Sequence, residues 1–304
     1  MAILKQGIYD AHTHIFPTDI PEKWQWYADK DKSFGQMTYA TEDSPVREAW
    51  CTPEETMRVA DEAGVEVVVM QGWYWNSMEL CRRHNDFMAE VIRKYPDRFV
   101  AYASINPLFG DEAVEEVERC YKMGFKGVGE LGPGGNGFAL NDPGLFKVCE
   151  KCQELGLPVN FHCGEPVGHV YGGKDMTPIR GFYELADKYP DLKLVLAHLG
   201  GGLPFYEMMP EVRKTFKNVW YDLAAMPLLY DIKAVRILVD MVGPEKVCFG
   251  TDYPLTIYKK KCQDPNFSLF VDDIFEQSGL SEEEWNLVMR ENMKNLIENV
   301  KDPQ

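Results

Sequence analysis

The chain has 304 residues, of which 45% are hydrophobic and 12% aromatic, and its formal net charge is −16 at pH 7. Such an acidic balance argues against nucleic acid and anionic membranes as general partners and favours a small molecule. The chain has eight cysteines and no signal-peptide pattern at its N-terminus, which indicates reduced thiols. No apolar run approaches membrane-spanning length, so we predict a cytoplasmic protein with no membrane partner.

Strand-like segments recur along the chain with helical segments between them. Eight strands are predicted, at residues 8–12, 65–70, 99–105, 127–131, 158–162, 192–198, 219–223 and 247–251. Helix-start signals lie between them, such as Thr52-Pro53 before residues 56–63. A capping box from Ser281 to Glu284 predicts an extra C-terminal helix. About eight β/α units without a linker predict one TIM (β/α)8 barrel domain covering residues 1–304.

The longest irregular segment, residues 16–50, is an insertion after the first strand. Its aromatic residues are Trp24, Trp26, Tyr27, Phe34, Tyr39 and Trp50. Loops after barrel strands lie on the catalytic face, so the insertion is expected either to cover the pocket and contact the substrate or to form an aromatic-rich surface subdomain.

Polar side chains end several of the predicted strands. They are His12 and His14 of the first strand, followed by Glu130, His162, His198 and Asp252. Alternate residues of a strand point to one side, so His12 and His14 can share one metal ion. Because a barrel collects its strand ends around one opening, all six side chains are expected at a single site. Imidazole and carboxylate ligands suit zinc first, and also manganese or iron.

We predict that His12, His14, His162 and Asp252 hold this ion. A bound cation lowers the pKa of its water from about 15.7 towards about 7, and Asp252 could act as ligand and base together. His198 is expected either to ligate a second cation or to polarise a substrate oxygen and move protons. For Glu130 three roles stay open, namely a bridge between two cations, a hydrogen bond to substrate or to a ligand histidine, and a structural role.

Arg47, His169 and Lys174 follow barrel strands and are candidates for binding a substrate carboxylate, with a solvated surface position as the alternative. A glycine-rich run at residues 132–137 lacks the lysine that ends a phosphate-binding loop, so nucleotide binding is rejected.

Three other residues are not assigned to the site. Cys149 and Cys152 lie in a helix-like run and are expected to pack there. His84, in another helix-like run, is predicted to be a surface residue.

Four motifs resemble those of the amidohydrolase superfamily, and in particular its amidohydrolase-related branch, which includes relatives of aminocarboxymuconate-semialdehyde decarboxylase. The motifs are Asp10-Ala11-His12-Thr13-His14, Phe161-His162, Ala197-His198-Leu199-Gly200-Gly201 and Gly250-Thr251-Asp252-Tyr253-Pro254. The resemblance spans nearly the whole chain. It implies that His12, His14, His162 and Asp252 carry the metal and that His198 is the catalytic histidine.

The position of Glu130 instead resembles that of the bridging glutamate of the binuclear TatD-type nucleases, although the acidic balance argues against their nucleic-acid substrate. The branch divides between hydrolases and decarboxylases, so the resemblance alone does not fix the reaction.

The first functional hypothesis is a hydrolase. Metal-bound hydroxide would attack a small carboxylate-bearing lactone, amide or ester, with Asp252 as base and His198 at the oxyanion. The alternative is nonoxidative decarboxylation of an aromatic or unsaturated carboxylic acid. A third hypothesis is a metal-stabilised binding protein without turnover. All three take a small, anionic ligand, and the sequence leaves a homo-oligomer open.

Overall fold

The structure is a computed structural model that describes residues 5–38, 50–169, 174–258, 264–301 and 303, without the side chains of residues 36 and 37. Arg47 and Tyr39 therefore lie outside the described residues. Within the described part of the chain, no helix is both long enough and apolar enough to cross a membrane.

Eight parallel strands form one sheet in chain order, each paired with the next. They are β1 (Ile8–Thr13), β2 (Val65–Met70), β3 (Phe99–Ala103), β4 (Gly127–Leu131), β5 (Val159–Phe161), β6 (Leu194–Leu196), β7 (Val219–Asp222) and β8 (Val247–Cys248). The amide of Ala11 donates to the carbonyl of Phe249 (2.8 Å), which joins β1 to the segment after β8. The predicted TIM (β/α)8 barrel is confirmed, although several strands end earlier than predicted.

The helices are α1 (Ile20–Lys30), α2 (Lys32–Thr38), α3 (Pro53–Ala63), α4 (Met78–Lys94), α5 (Asp111–Lys122), α6 (Pro133–Asn136), α7 (Pro143–Leu155), α8 (Arg180–Lys188), α9 (Pro210–Thr215), α10 (Met226–Leu229), α11 (Lys233–Val242), α12 (Ser268–Gln277), α13 (Glu282–Asn286) and α14 (Asn292–Glu298). Capping boxes open α3 at Thr52 and α13 at Ser281, because each hydroxyl accepts from the third helical amide. Cys149 and Cys152 are buried in α7, as expected.

Two apolar clusters build the barrel. The larger one packs the outer faces of the strands against the helices. The smaller one includes Tyr9, Val67, Tyr102 and Val195, and since these residues come from strands around the ring, it fills the interior. Each fully buried side chain of this size stabilises the fold by about 1.5–3 kcal/mol.

The predicted C-terminal helix closes one end of the barrel. Met293, Leu296 and Ile297 of α14 belong to the inner cluster. Nδ2 of Asn292 donates to the carbonyls of Pro244 and Val247 at 2.7 Å each, beside the start of β8. The N-terminal end of the barrel is therefore covered, and the site lies at the other end.

The aromatic insertion forms a third apolar cluster. Phe16, Tyr27 and Phe34 pack there with Trp73 and Trp75, from the segment after β2. Phe16 also lies 6.2 Å from His14 between ring centroids. Most of its described aromatic residues pack on one another, and Phe16 reaches His14, while contact of the insertion with the substrate stays a prediction.

Candidate active site

His12, His14 and Asp252 meet at the C-terminal end of the barrel. Nε2 of His12 and Nε2 of His14 lie 3.3 Å apart. Oδ1 of Asp252 lies 3.3 Å from Nε2 of His14 and 3.7 Å from Nε2 of His12. The amide of Asp252 donates to the carbonyl of His12 (2.8 Å), so the closing of the barrel brings these distant residues together. We call these three side chains the first triplet.

The first triplet fits a divalent cation. Nitrogen and oxygen ligands bind zinc at about 2.0–2.2 Å, which puts neighbouring ligand atoms about 3–3.5 Å apart around one ion. The three separations of 3.3, 3.3 and 3.7 Å are close to that spacing. Two imidazoles and one carboxylate also suit manganese.

Asp222, at the end of β7, orients His12 and was missed by the sequence analysis. Its Oδ2 accepts from Nδ1 of His12 (2.9 Å) and from Nδ2 of Asn160 (3.0 Å). Its Oδ1 accepts from the amides of His198 (3.2 Å) and Ala224 (3.0 Å). Because the carboxylate takes the proton-bearing Nδ1 of His12, the neutral ring has its lone pair on Nε2, towards the first triplet. The predicted strand at residues 219–223 carried the signal, since it also includes an acidic residue near its end.

Glu130, His162 and His198 form a second triplet. Oε1 of Glu130 lies 3.0 Å from Nδ1 of His162 and 3.4 Å from Nε2 of His198. Those two histidine nitrogens are 3.0 Å apart. The structure thus groups His162 with Glu130 and His198 rather than with the first triplet, and its predicted role as a ligand of the first ion stays a prediction.

Glu130 of the second triplet also lies beside the first triplet. Its Oε1 is 3.7 Å from Nε2 of His12, and its Oε2 is 3.7 Å from Nε2 of His14. This position is compatible both with a bridge between two cations and with a hydrogen bond to a ligand histidine, two of the three predicted roles.

The site balances opposite charges away from water. Burial acts against a charge on His12, but Asp222, Glu130 and Asp252 outweigh it and raise the pKa of His12 to about 10. Burial likewise opposes the charge of Asp252, yet the hydrogen bond from His14 and the charges of the surrounding histidines lower the pKa of Asp252 to about 2. Carboxylates therefore dominate the site once the histidines lose their protons, which favours a cation.

The segment after β6 holds His198 in a left-handed turn. His198 and Leu199 both have a φ of 57°, and the turn continues through Gly201 with a φ of 58°. A Cβ on Gly201 would lie 2.5 Å from the carbonyl oxygen of Gly164, so this position needs glycine. Nδ1 of His198 donates to the carbonyl of Ala224 (3.0 Å), which directs Nε2 into the second triplet.

Aromatic residues after β2 form one wall of the site. The ring centroid of Trp73 lies 5.5 Å from that of His14, and Tyr74 lies 5.9 Å from His162. Tyr74 rests on the glycine-rich run after β4, because a Cβ on Gly132 or Gly135 would lie within 2.8 or 2.6 Å of its ring. These glycines make room for an aromatic ring, which is a physical reason for the glycine content of the run.

Two of the three predicted substrate-binding residues, His169 and Lys174, lie between β5 and α8. His169 is exposed. Nζ of Lys174 donates to Oε1 of Glu165 (3.1 Å) and to the carbonyl of Val167, so it ties together its own loop. Arg47 is outside the described residues, and carboxylate binding by these three residues stays a prediction.

The prediction that His84 is a surface residue is wrong. It lies on α4 and is fully buried. The helix pattern carried a signal of this burial, since His84 lies three residues after Cys81 and four before Met88 on the apolar face of α4, but no local pattern shows its hydrogen-bonding partners, which follow β1 and β2.

Comparison with known proteins identifies relatives of this site. A family model described as amidohydrolase matches residues 9–294. The chain is 28% identical over 242 residues to 2-amino-3-carboxymuconate-6-semialdehyde decarboxylase of Dictyostelium discoideum, a match that covers 65% of this chain and 64% of that enzyme, less than two thirds of its length.

Solved structures share the fold over nearly the whole chain. The 5-carboxyvanillate decarboxylase of Sphingomonas paucimobilis has a TM-score of 0.76 at 18% identity and covers 97% of this chain and 99% of its own. The dihydroxybenzoic acid decarboxylase of Polaromonas sp. JS666, with bound manganese and the inhibitor 2-nitroresorcinol, has a TM-score of 0.69 at 19% identity and covers 96% of this chain and 97% of its own.

These relatives correct the functional prediction. All three are named decarboxylases, so the prediction of a hydrolase is wrong, and the decarboxylase alternative is the one they favour. They also favour an enzyme over a binding protein without turnover. The expected metal site is supported, whereas zinc as the specific ion is not confirmed.

Proposed function

The chain belongs to the amidohydrolase family, and from this premise we propose that it is a metal-dependent, nonoxidative decarboxylase of an aromatic or unsaturated carboxylic acid. The observation that carries the proposal is the first triplet, whose ligand atoms are spaced for one ion at the mouth of the barrel. The decarboxylases among its relatives support the reaction.

His12, His14 and Asp252 hold one divalent ion in this proposal, with His162 as a further ligand. When bound, the ion supplies positive charge that holds the substrate carboxylate and stabilises negative charge developing beside it. Manganese is the ion to test first, because the ligand set suits it and the Polaromonas enzyme carries it. Asp222 keeps Nδ1 of His12 protonated, so that Nε2 faces the ion.

His198 supplies the proton. Decarboxylation breaks the bond between the carboxyl carbon and its neighbour, the electron pair stays on that neighbour, a proton takes the vacated position, and carbon dioxide leaves. Nδ1 of His198 is occupied by the carbonyl of Ala224, so Nε2 is the atom that transfers the proton. Glu130 lies 3.4 Å from Nε2, where its charge stabilises the protonated ring.

Trp73 and Tyr74 select a planar substrate. Their rings lie beside those of His14 and His162, and burial, at 2% and 5% exposure, holds both rings in place. A conjugated acid packs its flat face on such a wall with little loss of conformational entropy. A flexible aliphatic acid gains less from the same contact.

The number of ions decides the role of the second triplet. Its ligand atoms are separated by 3.0, 3.0 and 3.4 Å, a spacing that also fits a cation. Metal analysis of purified protein separates the two arrangements. One equivalent per chain supports His198 as the proton donor, and two equivalents assign Glu130, His162 and His198 to a second ion and overturn that role.

The reaction is tested by product analysis. Manganese-loaded protein is incubated separately with 2,6-dihydroxybenzoate, 5-carboxyvanillate and 2-amino-3-carboxymuconate 6-semialdehyde, and metal-free protein is the control. The expected product has lost the mass of carbon dioxide, and its amount depends on manganese. Addition of water to the substrate, or saturable binding without any product, would overturn the proposal. The cytoplasmic location, the single domain and a homo-oligomer stay predictions from the sequence.

A further inference from the structure

His84 joins two segments that border the first triplet. Its Nε2 lies 2.9 Å from the carbonyl oxygen of Ile15, the residue after His14. Its Nδ1 lies 3.3 Å from the amide of Trp73 and 3.2 Å from Nε1 of Trp75. A carbonyl only accepts and an N–H only donates, so the ring carries its proton on Nε2 and accepts both bonds at Nδ1.

The ring of His84 also continues a stack that ends at the metal site. It lies 5.7 Å from the ring of Phe16 at an interplanar angle of 17°. Phe16 in turn lies 6.2 Å from His14 at 23°. Three nearly parallel rings therefore run from α4 to His14, and Trp73 meets His14 from the side at 5.5 Å.

Packing alone does not require a histidine here. The buried face of α4 is otherwise built mainly from Met78, Leu80, Cys81, Met88 and Val91, and an apolar side chain would fill the position at lower cost. Burying a polar ring is unfavourable unless its hydrogen bonds are made. Burial also lowers the pKa of His84 to about 4, which keeps the ring neutral, as the bonds at Nδ1 require.

We propose that His84 is a positioning residue of the active site, which holds His14 through Ile15 and Phe16 and holds the Trp73 wall through its amide. This inference rests on the metal site of the proposed function. His84 touches neither ion nor substrate, and its effect is to keep Nε2 of His14 within reach of the ion and to keep the aromatic wall against it.

Two substitutions separate the parts of this role. His84→Phe keeps the ring stack and removes all three hydrogen bonds. His84→Gln keeps one donor and one acceptor and is the conservative rescue. Should the phenylalanine variant fail to fold, His84→Asn replaces it, because its shorter side chain can bond near Trp73 but does not reach Ile15. The matched control is Asn292→Leu, which removes two side-chain hydrogen bonds, one buried and one partly buried, at the opposite end of the barrel.

Manganese affinity is measured by competition with a chromophoric chelator, and thermal unfolding is measured on the same samples without metal. We expect His84→Phe to bind manganese about tenfold more weakly, as is usual when the support of a metal ligand is lost. We expect His84→Gln to recover most of this loss. Asn292→Leu should lower Tm while leaving manganese affinity as in the parent. Parental affinity in His84→Phe, or an equal loss in Asn292→Leu, would overturn the inference.

Crystal structures of the metal-free variants decide the same point without an ion. The separation of 3.3 Å between Nε2 of His14 and Oδ1 of Asp252 should lengthen in His84→Phe and stay unchanged in Asn292→Leu. If the parent protein fails to bind manganese, the proposed function fails, and the crystal structures then test His84 alone: its assigned role is overturned if His14 and Trp73 keep their positions in His84→Phe.

Discussion

Replacing Asp222 by asparagine is the most direct test of how the barrel prepares its metal ligands. The carboxylate accepts four hydrogen bonds, from Nδ1 of His12, Nδ2 of Asn160 and the amides of His198 and Ala224. Asparagine has the same shape, but one oxygen becomes an NH2 group that faces two donors. Two bonds to a charged acceptor are therefore lost, whichever way the amide turns.

The structure sets the size of two separate effects. Bonds to a charged acceptor contribute about 1.5–3 kcal/mol each, so the loss of two lowers the free energy of unfolding by about 3–6 kcal/mol. Because the amides of His198 and Ala224 can only donate, the asparagine keeps its oxygen towards them and places its NH2 group opposite Nδ1. The ring of His12 then moves its proton to Nε2, the atom that should bind the ion. Removing such a support weakens metal binding by about 10–100-fold, or about 1.4–2.8 kcal/mol.

The assay compares Asp222→Asn with Glu116→Gln. Glu116 is also a buried carboxylate, which accepts from Asn85 and Arg119 on the outer side of the barrel. Both variants should unfold at lower denaturant concentration, and only Asp222→Asn should lose manganese affinity in the chelator competition. Parental manganese affinity in a folded Asp222→Asn protein would refute the reasoning that this carboxylate sets the tautomer of His12.

Three further predictions concern the site. In the metal-free protein, the proton on His12 stabilises the fold because the pKa of His12 is raised to about 10. This stabilisation is complete below the ordinary pKa of 6.5 and decreases as the pH rises towards about 10. Tm should therefore fall over that interval, and a flat profile of Tm against pH would contradict the charge balance. Asp252→Asn should reduce manganese-dependent decarboxylation by about 100-fold or more, since a metal ligand is lost, while the circular dichroism spectrum stays that of the parent. Gly135→Ala places a Cβ 2.6 Å from the ring of Tyr74, so it should displace this wall of the site and raise KM more than it lowers kcat. Parental values of both steady-state constants would contradict this expectation.

The sequence determined the architecture and singled out the residues that the structure groups into the two triplets. Strands are recognised from short apolar runs, and helix starts from capping residues, because both depend on neighbours within a few positions. The strand-end pattern singled out His12, His14, His198 and Asp252 before any fold was known. It did not fix the reaction, because the same ligands serve hydrolysis and decarboxylation, and the relatives decided against the hydrolase.

Only the tertiary structure decided how these residues divide and what supports them. The bond between His12 and Asp222 joins residues 210 positions apart, and no local pattern in either segment encodes it. The separation into two triplets, with Glu130 of the second within 3.7 Å of His12 and His14 of the first, depends on the closed barrel. The burial of His84 depends on the packing of α4 against two loops from other parts of the chain. Such contacts arise when the barrel closes, because closure places distant carbonyls, carboxylates and rings within bonding distance and removes water from between them.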